Sequence, residues 1–138
     1  MTLRLDPRCR DSILHHAARE YPRECCGFLL GRPGNVLRIF PAGNVDPRPR
    51  TRFTVRPQDF LGAERDARGH DLEIVGFYHS HPDRSARPSA SDSAGALAGF
   101  SHAIVSVHRG EPAELTSWRF VGGAFQPEPL EEVHVPLG

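Results

Sequence analysis

Lysine is absent from this 138-residue chain, so all 17 of its basic residues are arginine. We read that exclusivity as a codon-composition habit that assigns no function. Net charge is also missing. The 17 basic residues are matched by 17 acidic ones, so nothing global points to nucleic acid or to an anionic membrane surface. No run approaches the roughly 20 apolar residues of a membrane span. The N-terminus lacks the apolar core of a signal peptide, and a soluble cytoplasmic protein is the expectation. The three cysteines, two of them adjacent at Cys25 and Cys26, are too few for a disulfide framework. Reduced thiols packed in a core follow. Internal repeats and linkers between patterned halves are lacking too, which leaves one domain able to bury about two-thirds of its unfolded surface.

What is present alternates between helical and extended patterns. Asp6-Pro7 reads as an N-cap followed by proline at the first helical position, and Ile13, Leu14, Ala17 and Ala18 recur at helical spacing before Pro22, which predicts a helix over 6–20. The apolar run "CCGFLLG", the turn "RPGN" and the run "VLRIF" predict a hairpin. After the loop "PAGNVDPRPR", a short strand is expected at "TRFTV" (51–55) and a second helix from Pro57. Then come a strand "LEIVGFYHSH", a loop "PDRSARP", a third helix over "SASDSAGALAGF" (89–100), and strands at "HAIVSVH" and "ELTSWRFVGGAF". Strands interleaved with helices predict an α/β layered fold, a mixed sheet flanked by helices.

The stretch "GFYHSHPDRSARPSASD" (76–92) concentrates the chemistry. Residues two apart on a strand share a face, so His79 and His81 can grip one object together only if this segment is extended. With Asp92 they offer three ligands of the kind that hold a catalytic zinc whose fourth position is left to water. Each has a plainer reading. The histidines could lie on the surface, and Ser89-Ala90-Ser91-Asp92 has the S-x-x-D form of a capping box. A catalytic zinc also needs a carboxylate that accepts a proton from water without being a ligand. Glu24, at the mouth of an apolar strand, is the candidate, its alternative being a solvated residue just ahead of the strand. Arg48, Arg50, Arg52 and Arg56 form a local basic cluster, read either as a solvated loop or as a contact for an acidic partner.

Together these residues resemble the JAMM/MPN+ metallopeptidases, whose signature is an upstream glutamate, H-[ST]-H, seven residues, serine, two residues, aspartate. Here Glu24, His79-Ser80-His81, Ser89 and Asp92 fill every position, in surroundings ("ECCGFLLG", "GFYHSHP", "PSASD") similar to those of minimal prokaryotic members. The resemblance covers residues 1–122 as one JAMM/MPN domain of cytidine-deaminase-like fold and leaves 123–138 as a tail packed on it. It implies zinc held by His79, His81 and Asp92. It also implies Glu24 as the base that deprotonates the water and passes a proton to the leaving amine, and Ser89 as a hydrogen-bond donor to the oxyanion. The implied reaction is hydrolysis of a peptide or isopeptide bond after the C-terminal Gly-Gly of a ubiquitin-like sulfur-carrier protein.

Rival readings are a zinc peptidase for unrelated small peptides, a non-catalytic MPN scaffold, a zinc deaminase and a module with structural zinc. The intact ligand set argues against the scaffold. A deaminase needs P-C-x-x-C, which the chain lacks, and a structural zinc is normally closed by four protein ligands. Oligomeric state leaves no mark in the sequence.

Overall fold

The computed structural model describes residues 2–134. Its elements, in chain order, are β1 (Leu3–Leu5), α1 (Pro7–Glu20), β2 (Cys26–Arg32), β3 (Asn35–Ala42), α2 (Pro57–Gly69), β4 (Glu73–Pro82), α3 (Ala90–Gly95), β5 (Ser101–His108), β6 (Glu111–Val121), β7 (Ala124–Glu128) and β8 (Leu130–Glu132). The strands form one mixed eight-stranded sheet in the order β7-β6-β5-β4-β2-β3-β1-β8. Within it β4 runs antiparallel to β2 and parallel to β5.

Helix α1 starts where its sequence says it should. Asp6 is the N-cap, its carboxylate accepting the Arg8 N–H at 2.9 Å, and Pro7 occupies a position that needs no N–H. Cys9, Ile13, His16 and Ala17 form its buried stripe. That stripe packs with Cys25, Leu29, Tyr78, Val105 and Val107 on one face of the sheet. Truncating the fully buried Ile13 to alanine would cost about 2–5 kcal/mol. On the other face, Ala63 and Ala67 of α2 pack with Cys26, Phe28 and Leu30. Alternation along β2 therefore sends Cys25 and Cys26 to opposite cores. Burial pushes both thiols up to about 12, so they stay protonated as packing groups.

Three sequence expectations need correction. Residues 51–55 are not a strand. The Asn44 side chain occupies the place of a neighbouring strand there, accepting the Asp46 and Thr54 N–H groups at 3.0 and 3.1 Å and donating to the Glu24 and Arg52 carbonyls at 3.0 and 2.9 Å. The third helix stops at Gly95 instead of running to 100. It buries no apolar residue, and Gly99 at φ 84° departs from helical geometry, so packing does not extend it. Strands β1 and β8 had no sequence signal, and β7 carries the chain past residue 122 through a hairpin turn at Gly122-Gly123, both at positive φ. Residues 123–134 thus add strands at both edges of the sheet. Residues 135–138 of the expected tail lie outside the described residues.

Candidate metal centre and active site

Strand register builds the site. Cys26 pairs with His79 across β2 and β4, and the ladder continues one step as Ser80 donates its N–H to the Cys25 carbonyl at 3.1 Å. Glu24, one residue earlier, lies near both histidines, whose charges act on its carboxyl. Residues 24, 26, 79 and 81 therefore share the α2 face, while Ser80, facing away, accepts the Cys25 N–H on its Oγ at 2.7 Å. The extended conformation that the H-x-H spacing requires is present in β4.

Asp92 comes to the same point from α3. Its Oδ1 lies 3.2 Å from His79 Nε2 and its Oδ2 3.1 Å from His81 Nε2, and the two Nε2 atoms are 3.2 Å apart. All three side chains are buried, Asp92 at 6% exposure. His81 Nδ1 sits 2.8 Å from the Ser85 carbonyl, which can only accept, so the proton belongs on Nδ1 and the Nε2 lone pair faces Asp92 and His79. Phe53 stacks on His79 at 4.7 Å between ring centroids, fixing its plane. Burial pushes the Asp92 carboxyl up, yet the imidazoles of His79 and His81, when protonated, outweigh it and hold that group well below the usual carboxylate range.

This donor set fits a zinc ion. Three ligand atoms each about 2.0–2.1 Å from a tetrahedral ion lie about 3.3–3.4 Å from one another, close to the spacing of the two imidazole nitrogens and the carboxylate here. Two histidines and one aspartate are also a set of borderline hardness that suits zinc.

Glu24 is 1% exposed, and its Oε2 accepts from Arg84 Nη2 at 2.6 Å. Its Oε1 is buried without any partner. Burial pushes its carboxyl above the usual glutamate range, against the pull of His79, His81 and Arg84. Ser89 is the N-cap of α3 and completes a capping box. Its Oγ accepts the Asp92 N–H at 3.2 Å, and Asp92 Oδ2 accepts the Ser89 N–H at 2.8 Å. The cap uses only a lone pair of Oγ, so the hydroxyl proton remains able to donate. Capping and catalysis, alternatives in the sequence, are compatible in space.

Sequence reasoning missed Arg84 and His102. His102 lies on β5 beside β4, stacks on Phe77 at 5.7 Å and reaches the Leu97 carbonyl at 3.3 Å, which ties down the segment after α3. Beside His79 and Asp92 opens a cavity of about 610 Å³ with aromatic walls at Phe28, Phe53, Phe60 and Phe77 and with α3 along one side.

The family model for prokaryotic homologs of the JAB domain matches residues 6–121. The chain belongs to that family. Among curated relatives, this prokaryotic JAB-domain protein is 40% identical over 84 residues to the tail tip assembly protein K of Escherichia phage N15, covering 61% of this chain and 32% of the phage protein. It therefore spans about a third of that relative. It is 36% identical over 96 residues to a desampylase of Haloferax volcanii, covering 65% and 69% of the two chains. Over 126 residues it is 32% identical to the CysO-cysteine peptidase of Mycobacterium tuberculosis, 89% of this chain and 86% of that one. Among solved structures, protein DSY2949 of Desulfitobacterium hafniense superposes with a TM-score of 0.86 at 28% identity, over 97% and 94% of the chains. A JAB1/MPN domain protein of Archaeoglobus fulgidus matches at 0.63 and 20% identity over 96% and 97%, a likeness that shows the expected fold.

Proposed function

We propose that this prokaryotic JAB-domain protein is a zinc-dependent metallopeptidase that cleaves the amide bond following the C-terminal Gly-Gly of a ubiquitin-like, sulfur-carrier type protein. The observation that carries the reading is the convergence of His79, His81 and Asp92 beside a buried glutamate with one oxygen unpartnered. His79 Nε2, His81 Nε2 and Asp92 would hold the ion. When bound, zinc supplies Lewis acidity, polarising the scissile carbonyl and acidifying a water. Glu24 Oε1 accepts the proton of the attacking water and returns it to the nitrogen of the leaving amine, while Oε2 stays tethered to Arg84. The Ser89 hydroxyl donates to the oxygen on which charge develops. The names of the two peptidase relatives, a desampylase and a CysO-cysteine peptidase, support a conjugate or extended form of such a carrier as the substrate class.

Glycine suits the approach to this site, because a residue without Cβ lets the backbone come close to a buried ion. The arginines at 48, 50, 52 and 56 would steer an acidic carrier, so association should weaken with ionic strength. The test uses zinc-loaded protein with three substrates: a carrier extended beyond Gly-Gly, its Ala-Ala version, and casein. Mass spectrometry should find cleavage immediately after Gly-Gly and little elsewhere. Equal cleavage of all three would point to a general peptidase, and cleavage of none would remove the proposed substrate.

A further inference from the structure

The Arg84–Glu24 pair is half made. One hydrogen bond joins Nη2 to Oε2 at 2.6 Å. On either side of it a polar atom is buried without a partner, Glu24 Oε1 and Arg84 Nε, and these are the two such side-chain atoms among the described residues. A buried group left without a partner is costly, the more so when charged, so this neighbouring couple of one acceptor and one donor marks a place built for a ligand carrying the reverse couple. The backbone that presents Arg84 is fixed. The preceding Asp83, at φ 55°, donates its N–H to the Val107 carbonyl at 2.6 Å, and its carboxylate accepts from the Tyr21 hydroxyl at 2.7 Å and the Arg109 N–H at 2.8 Å. The Arg84 side chain is itself 35% exposed and so borders solvent, while its Nε stays covered.

We infer that Arg84 reads the free α-carboxylate of a single amino acid joined through its α-amino group to the substrate's terminal glycine, which makes that residue the leaving group. This rests on the proposed peptidase reading and sharpens its substrate class. In such a leaving group the nitrogen and the carboxylate are separated by one carbon. The nitrogen meets Glu24 Oε1, the oxygen that delivers its proton, and the carboxylate meets Arg84 Nε, satisfying both unpartnered atoms at once. A guanidinium is suited to this because its donors form a rigid fork that matches a carboxylate. An ε-amino group of a lysine side chain would fill only the Glu24 half. The balance is that of amide hydrolysis. Water oxygen bonds to the acyl carbon, the C–N bond breaks, one water proton travels through Glu24 to the departing nitrogen, and the other is released from the new carboxyl group.

The test compares peptides ending Gly-Gly-Ala with a free carboxylate, the same peptide as its C-terminal carboxamide, and Gly-Gly linked to a lysine ε-amine. With zinc-loaded wild-type protein, kcat/KM should favour the carboxylate over the carboxamide by about 10- to 100-fold, the worth of one hydrogen bond to a charged group. Arg84→Gln should bring that ratio close to one, whatever it does to both rates through Glu24, and Arg84→Lys should restore part of it. A wild-type ratio near one, or a ratio that survives Arg84→Gln, overturns the inference. If no peptide is cleaved, the peptidase reading is judged on the extended carrier and a binding measurement decides the role of Arg84. Labelled carboxylate and carboxamide peptides are titrated by fluorescence anisotropy into metal-stripped wild-type and Arg84→Gln protein. Preference for the carboxylate by wild type alone supports the role of Arg84. Equal binding of the two peptides, or no measurable binding of either, overturns it.

Discussion

In the proposed mechanism Glu24 divides its work between two oxygens. Oε2 is held by Arg84, which limits rotation of the carboxylate, and the unpartnered Oε1 would carry the proton. Glu24→Gln fills the same space without accepting a proton, so turnover should fall about 100- to 10,000-fold while zinc content and the melting temperature change little. Near-normal turnover would assign the base to another group. Ser89→Ala removes both the cap acceptor and the proposed oxyanion donor. Loss of the cap should cost about 1 kcal/mol, and loss of the donor should slow turnover about 100- to 1,000-fold. Melting curves and single-turnover rates on one preparation separate the two effects. The proposed ligands stood out in the sequence because spacing encodes direction on a strand, and Glu24 and Ser89 stood out as candidates because the family pattern names them. Arg84 did not. In "PDRSARPS" nothing distinguishes it from Arg87, and its partner lies 60 positions away.

At the scale of elements, legibility followed length and periodicity. Helices α1 and α2 announced themselves through proline starts and recurring apolar positions, and β2, β4 and β5 through sustained apolar runs. Strands β1 and β8, each three residues long, are too short to show a period, and residues 51–55 look like a strand only until Asn44 supplies their partners. The connection from β4 to α3 is held by a distant clamp that sequence does not disclose: the Asp83 carboxylate joins the end of α1, through Tyr21, to the turn between β5 and β6, through Arg109. Those two donors hold the Asp83 carboxyl below the usual aspartate range, the Arg109 N–H contributing most. A carboxylate depressed in the folded state adds stability above its unfolded pKa of about 3.9, and that stability is lost as pH falls through the folded value. Asp83→Asn should therefore melt below wild type at pH 7, with the gap closing toward pH 3 in thermal denaturation followed by circular dichroism. A gap that stays constant with pH would mean the clamp does not depend on charge.

For the whole molecule, both apolar cores are built by the sheet with α1 or α2, whereas the proposed ligands stand at the end of β4 and on α3. The sheet is therefore expected to cohere without an ion. One zinc per chain is expected by metal analysis, and full occupancy after both histidines are changed to alanine would remove the site. Chelation should leave the far-ultraviolet dichroism of the sheet in place, yet speed amide exchange in α3, which buries no apolar residue of its own. Collapse of the sheet signal would instead make the ion a structural support. The parallel pairing of β4 with β5 carries a separate consequence. Parallel neighbours cannot be joined by a tight hairpin, so the chain must cross from one end of the pair to the other, and that crossing, residues 83–100, contains Arg84, Ser89 and Asp92. Insertions and deletions should therefore be distributed unevenly among related chains. A residue added at the Gly122-Gly123 turn lengthens a hairpin, whereas one added between His81 and Asp92 shifts Asp92 away from the two histidines.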